Sequence, residues 1–370
     1  MEGGGSMQDM LLMSKDNCIA RIHDDVLEIV NEALLPLYLK RTRNIEEWLS
    51  MRAIDEHRTN SRLLKRALRL ENKDDVHTVL KFNAATITDT YWMKPTDSSL
   101  TYDEVRFKEN LFDMLALKGD INSFNQKPSR TPELTNTGSF EKCWRLIDGS
   151  WWMYKSGNAK EKFTEVFAYH LAKELKIPTA VYEVDGDYVR SKDFTNGAKV
   201  NFETAYGIIG EEVEYPAIYR KLKEIDEGVA ASFVQMTYFD ALIFNMDRHE
   251  HNFGVLRNVA TGEILGMAPL YDHNIALITR GYLSDVQRRK DRLIGDFIDL
   301  VKEESISFDV PELTEAMVKT ALQKTPVELP ETEEIPVPPK EYVAAFILNG
   351  QERIKKELEP LKKRRLERER

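Results

Sequence analysis

The stretch Phe244-Asn-Met-Asp-Arg-His-Glu-His-Asn-Phe253 decides how the rest of the chain is read. Asp247 and Asn252 are separated by four residues. A mostly apolar run from about Ala230 to Asn245 precedes them and reads as a buried helix. After them, VLRNVATGEILGMAPLYD (residues 255–272) reads as a hairpin turning at Thr261-Gly262 and ending on Asp272. This layout suits a metal–phosphate site. A carboxylate such as Asp247 can lie beside an attacking hydroxyl. A neutral amide such as Asn252 can hold Mg²⁺ without overloading the site with charge, and Asp272 supplies a second oxygen ligand from another strand end. Taken singly, the same residues also fit a surface or helix-capping carboxylate followed by a turn asparagine. The helix before, the hairpin after and the acid at its far end raise the standing of the chemical reading without deciding it.

Upstream, SFEKCWRLIDGSWWMYK (residues 139–155) reads as two strands about Asp148-Gly149. Lys155 ends the second and would offer phosphates a point charge. An amphipathic helix from about Lys160 to Lys176 carries Glu165, which would hold that lysine; Lys160, Glu161 and Lys162 are competitors. A snorkelling lysine beside a solvated glutamate is the plainer alternative. VYEVDGDYVRSKDF (residues 181–194) reads as another hairpin, about Asp185-Gly186. The loop Thr135-Asn-Thr-Gly-Ser-Phe-Glu-Lys142 can turn backbone N–H groups toward phosphates, or be an ordinary Ser/Thr-rich turn. His249 and His251 lack further ligands at zinc spacing, so His249 reads as a loop-bracing donor.

The chain as a whole has 370 residues, 42% hydrophobic and 31% charged, with a net charge of −10. That acidity argues against diffuse attraction to nucleic acid or anionic membrane. Cys18 and Cys143 cannot form a disulfide framework, and no apolar run approaches the roughly 20 residues that span a bilayer. A cytoplasmic setting is expected. Residues 1–6 read as a linker or remnant. Residues 7–127 read as mainly helical, because Val26, Ile29, Val30, Ala33, Leu34 and Leu37 recur at three- and four-residue steps and a second helical stretch runs from Ile45 to Leu70. A small sheet-rich lobe is expected over 128–200 and a helical lobe over 201–324. An acidic Pro-rich linker over 325–339 and a charged terminal helix over 340–370 follow. The expected fold class is therefore α+β, with the bilobal layout of a protein kinase.

TNTGSFEK, YKSG with FTEVFAYHLAKELKI, YVRSKDF, FNMDRHEHNFGVL and PLYDHNIAL occur in that order over about 128–322. In this combination the chain resembles the HipA-like kinases, Ser/Thr kinases of bacterial toxin–antitoxin systems that are distantly similar to phosphoinositide 3-kinases. The resemblance implies ATP and Mg²⁺ as cofactors, Asp247 as catalytic base, and Asn252 and Asp272 as Mg²⁺ ligands. It also implies that Lys155 contacts the ATP phosphates, with Glu165 behind it and His249 bracing the loop. Gly138 and Ser139 would lie over the phosphates. Val189 to Asp193, including Ser191, would be the adenine hinge. Thr135 would be the site whose autophosphorylation ejects the glycine loop, with Thr137 and Ser139 as near alternatives. The family's N-terminal unit is small and β-rich, which the helical reading of residues 7–127 does not match. The implied partners are a protein substrate and a separate antitoxin-like chain, with nucleic acid met only indirectly. Two alternatives stay open. The same site can serve a small-molecule kinase or an adenylyl transferase. The basic stretch Lys40, Arg41, Arg43, Arg52, Arg58, Arg62, Lys65, Arg66 and Arg69 can serve a nucleic-acid-associated regulator.

Overall fold

In the computed structural model, which describes residues 9–24, 26–53, 65–66, 75–108, 131–135 and 142–368, positive φ angles at Lys15 and Asp24 fold the first segment back on itself. Three strands result: β1 (Met10–Ser14), β2 (Asn17–His23) and β3 (Val26–Ile29). β4 (Tyr91–Pro95) pairs with the free side of β1, so the sheet order is β3-β2-β1-β4. This corrects the expectation that a helix runs on from about Asp24; among the described residues of 7–127 strands and short helices both occur. The spacing of Val26, Ile29 and Val30 does satisfy a helix. Those β-branched residues, however, meet a ready partner in β2, with Val26 opposite His23 and Ile29 opposite Ala20. A short isolated helix offers no such gain. Among the described residues helix follows with α1 (Leu37–Thr42), α2 (Ile45–Ser50) and α3 (Asp75–Leu80), and a single turn over Tyr102–Val105. Leu12, Ile19, Ile22, Leu35, Leu39, Leu49, Val79 and Met93 join sheet and helices in one buried cluster.

The basic residues of this region have local employment. Arg41 donates to the carbonyls of Tyr206 and Gly207 at 3.0 and 3.2 Å, and Lys40 to that of Ala33 at 3.1 Å. Arg43 pairs with Glu32 at 3.0 Å and Lys65 with Asp75 at 3.0 Å. Arg52 is buried against Asp89 at 2.9 Å and lies 4.5 Å over the Trp48 ring. Arg58, Arg62 and Arg69 lie outside the described residues.

The hairpins fall where the turn signals placed them. β5 (Lys142–Ile147) and β6 (Ser150–Lys155) leave Asp148 and Gly149 as a two-residue loop, with φ of 48° and 73°. Positive φ at both positions is the type I′ geometry that suits the strand twist. β7 (Tyr182–Asp185) and β8 (Tyr188–Lys192) complete the sheet β5-β6-β8-β7. A third sheet, β11-β10-β9, contains β9 (Val200–Thr204), β10 (Gly254–Asn258) and β11 (Ile264–Met267). At the β10–β11 turn Gly262 has φ of 75°, and a Cβ there would stand 2.0 Å from the Ala33 carbonyl oxygen, so only glycine fits.

By compactness the chain forms two units. The first takes its described residues from 9–156, 190–208 and 255–265, the second from 157–189, 209–254 and 266–368. Inside the first, Arg257 is fully buried. It donates to the carbonyls of Ala33, Leu35 and Gly262, to the Tyr91 hydroxyl and to Glu203. One side chain thereby joins stretches far apart in sequence.

The second unit is built on helices: α4 (Ala159–Glu174), α5 (Tyr215–Ile225), α6 (Glu227–Ile243), α7 (Arg292–Glu303), α8 (Glu315–Gln323) and α9 (Pro339–Arg368). Residues 326–338 contain neither helix nor strand. No described helix is long and apolar enough to cross a membrane. Arg288 is buried at the end of α6, where it donates to the Ala241 and Leu242 carbonyls and pairs with Asp291 at 2.7 Å. α9 passes this guanidinium at Gly350, where a Cβ would lie 2.3 Å from Nη1 and 3.1 Å from Cζ. Alanine would gain about 1 kcal/mol in helix propensity. Because Arg288 is pinned by three acceptors, the overpacking cost of about 1–3 kcal/mol should win. Gly350→Ala is therefore expected to destabilise, read as a lower denaturation midpoint in urea.

Candidate functional site

The site in the second unit starts from a carboxylate placed in an apolar helix. Asp240, on α6, is 1% exposed. Such a charge needs partners. Arg248 supplies them, Nε to Oδ2 at 2.8 Å and Nη2 to Oδ1 at 3.0 Å, while Asn245 Nδ2 donates to Oδ1 at 2.7 Å. Burial opposes the charge on Arg248, but Asp240 outweighs it and raises the guanidinium pKa. Phe244 ends α6 in the left-handed region, with φ of 56°, and releases the chain into the loop that follows.

Within that loop Asn252 is buried, and its Nδ2 donates to the Asp247 carbonyl at 2.9 Å. This assignment leaves Oδ1 as the amide atom suited to a metal. Asp247 is half-buried, and its N–H donates to Asn245 Oδ1 at 3.3 Å. His249 is exposed, and braces the loop as an acceptor rather than the expected donor. Its Nδ1 takes the His251 N–H at 3.3 Å and its carbonyl takes the Asn252 N–H at 2.8 Å.

Asp272 reaches the same loop from the far end of the hairpin. Arg248 Nη1 donates both to the Asn252 carbonyl and, at 2.8 Å, to that of Tyr271. The Tyr271 hydroxyl donates to the His251 carbonyl at 2.8 Å. Backbone bonds from Met246 to Ile275 and from Leu277 to Ile243 close the two segments together. Asp272 itself has φ of 60°, a conformation that costs a non-glycine residue energy and recurs at functional sites. Its N–H is held by the Tyr182 hydroxyl oxygen at 2.9 Å. Glu165, 1% exposed on α4, accepts the N–H of His273 at 2.9 Å. Asp247, His249, Asn252, Asp272 and Glu165 are thus gathered within one unit.

This donor set fits magnesium. Asn252 and Asp272 offer hard oxygens and a single negative charge, and Mg²⁺ usually fills the rest of its shell with phosphate oxygens and water. Among the described residues, no three His, Cys, Asp or Glu side chains form a group that would cage a metal by themselves.

Lys155 closes β6, half-buried, in the first unit, and Ser191 lies half-buried on β8. Val189 is buried in the second unit. Asp193 is buried, which raises its pKa against three hydrogen bonds: from the Thr195 N–H and Oγ1 and from the Gly197 N–H. Its carboxylate therefore caps a turn, and its own N–H is taken by the Trp151 carbonyl at 2.9 Å. Thr135 ends a 3₁₀ turn, buried, with its hydroxyl donated to the Pro132 carbonyl at 3.1 Å. Gly138, Ser139 and Thr137 lie outside the described residues. Sequence reasoning passed over Asp240, Asn245, Arg248 and Tyr182. The available signal was an aspartate inside an apolar helix, with a basic residue eight positions on.

The family of HipA-like C-terminal domains matches residues 138–328, over half of the chain. No curated protein matches the sequence. Among solved structures, HipA of Shewanella oneidensis MR-1, determined with HipB and its operator DNA, is similar with a TM-score of 0.58 at 12% identity, covering 94% of this chain and 97% of that one. The Helicobacter pylori proinflammatory kinase CtkA gives a TM-score of 0.46 at 15% identity, over 60% of this chain and 94% of its own. The likeness to the Shewanella structure is one of fold, and it extends well beyond the matched segment to most of the chain. By the span of that family match, the chain belongs to the HipA-like C-terminal domain family.

Proposed function

We propose that the protein is an ATP- and Mg²⁺-dependent kinase that transfers the γ-phosphate to a Ser or Thr hydroxyl of a protein. The observation that carries this reading is the joint fixing of the Asn252 and Asp272 segments around one buried guanidinium. Asp247, in the same loop, is the base for the acceptor hydroxyl. Asn252 Oδ1 and the Asp272 carboxylate hold Mg²⁺, which neutralises the phosphate charge when bound. Lys155, with Glu165, contacts the phosphates, and the backbone of residues 189–193 receives adenine. Because the Asp193 N–H is engaged by Trp151, Val189 and Ser191 carry that contact in this reading.

We place the protein in the cytoplasm with a separate antitoxin-like partner as the DNA-binding component. The local engagement of Lys40, Arg41, Arg43, Arg52 and Lys65 supports only indirect contact with nucleic acid. Thr135 is the proposed autophosphorylation site. Since its hydroxyl is buried, the 3₁₀ turn must open first; a phosphate of about −1.5 to −2 charge would then hold it open beside ATP.

Incubation with Mg·ATP followed by intact-mass and fragment analysis tests this. A phosphoryl addition on this chain or on a partner protein is expected, abolished by EDTA. An adenylyl addition would shift the reading to nucleotide transfer, and no transferred group on any acceptor would overturn it. Fragment masses separate Thr135 from Thr137 and Ser139.

A further inference from the structure

We propose that Arg248 is a positioning residue, a splint between the two peptide segments that carry the metal ligands. The proposal rests on the reading of Asn252 and Asp272 as those ligands. They are separated by a whole hairpin, so nothing in local sequence fixes their spacing. The Arg248 side chain, 2% exposed, does so from a single nitrogen: Nη1 donates to the carbonyl of Asn252 and to that of Tyr271, the peptide entering Asp272. The other edge of the guanidinium is locked on Asp240, which Asn245 holds in turn. A planar fork with five donors can meet both oxygens of a carboxylate and two carbonyls at once; an ammonium, with three donors, cannot make all four bonds.

Stability alone does not explain this arrangement. A buried ion pair is often no better than a packed apolar pair of the same volume. What an apolar pair cannot supply is directed hydrogen bonding to two carbonyls on separate segments. Loss of the fork should therefore loosen both ligands together while leaving nucleotide contacts made elsewhere intact. Outer contacts that orient metal ligands typically affect metal affinity by about 10–100-fold.

The test compares wild type, Arg248→Lys and Asp272→Asn, using a non-hydrolysable ATP analogue. In Arg248→Lys the Mg²⁺ concentration for half-maximal analogue binding is expected to rise about tenfold or more. Analogue affinity in EDTA should stay at the wild-type value, and amide exchange should quicken in residues 246–253 and 271–277 together but not in α4. The double variant Asp240→Asn/Arg248→Gln removes both buried charges and gives the same reading should Arg248→Lys fail to fold. A folded Arg248 variant with a wild-type Mg²⁺ midpoint overturns the splint alone, provided that Asp272→Asn is impaired. If Asp272→Asn binds Mg·analogue like wild type, the metal-ligand reading falls and the splint falls with it. If neither Arg248 variant folds, the residue serves folding and the proposal is overturned.

Discussion

Asp247→Asn is expected to slow phosphate transfer by about 10²–10⁴-fold, the usual contribution of a positioned general base. Nucleotide binding should be unchanged. The substitution keeps shape and hydrogen-bonding capacity but cannot accept the acceptor's proton. The loop should survive it, because Asp247 is tied in through its main chain. Its N–H meets Asn245 Oδ1 and its carbonyl receives Asn252 Nδ2. The effect should thus appear in kcat and not in KM. Single-turnover transfer from labelled ATP, alongside equilibrium binding of Mg·ATP, separates the cases. An unchanged rate removes Asp247 as base, whereas an equal loss of Mg·ATP binding would make it a metal ligand instead.

Arg257→Met should destabilise by about 3–5 kcal/mol. The methionine fills much of the volume, so packing is not the main loss. The cost arises from what is left behind. Glu203, with its side chain 10% exposed, would keep the Leu37 N–H at 2.6 Å and the Tyr91 hydroxyl at 2.8 Å as donors but lose its paired cation. The carbonyls of Ala33, Leu35 and Gly262 would each lose a donor. Adding Glu203→Gln removes the orphaned charge and should recover a measurable part of the loss. Urea denaturation of both variants reads this directly. A double variant no more stable than Arg257→Met would place the cost in the carbonyls.

Those two sites also show what the sequence could reveal. The candidate loop around Asp247 stands out in sequence because its features are local: an acid, an amide and a hairpin of readable turn type. Asp148-Gly149 and Thr261-Gly262 announce positive φ, and the structure places it at Asp148, Gly149 and Gly262. Arg248 stood inside the same motif, yet its task depends on Asp240 and Tyr271, and no spacing rule joins those three. The N-terminal sheet was illegible for a different reason. β1, Met-Leu-Leu-Met-Ser, is buried or half-buried along its whole length and so lacks the alternation that marks a strand. Val26 to Leu37 carries steps compatible with helix, and only pairing to β2 decides against it. The same tertiary dependence hid Arg257, which stands within an ordinary strand, β10.

The reach of Arg257 bears on the order of events during synthesis. Its acceptors at Ala33, Leu35 and Tyr91 leave the ribosome long before Glu203, Arg257 and Gly262. At about 5–20 residues per second, the wait between Tyr91 and Gly262 is about 10–30 s. Through that interval the segments at Ala33, Leu35 and Tyr91 lack the guanidinium that joins them in the folded chain. Because residues 247–252 are made before Arg257, the first unit can close only on a chain that already carries the candidate catalytic loop. A nascent chain halted earlier would hold an unfinished core and be open to chaperones and proteases, so closure of the first unit reports that the candidate loop at residues 247–252 has been synthesised.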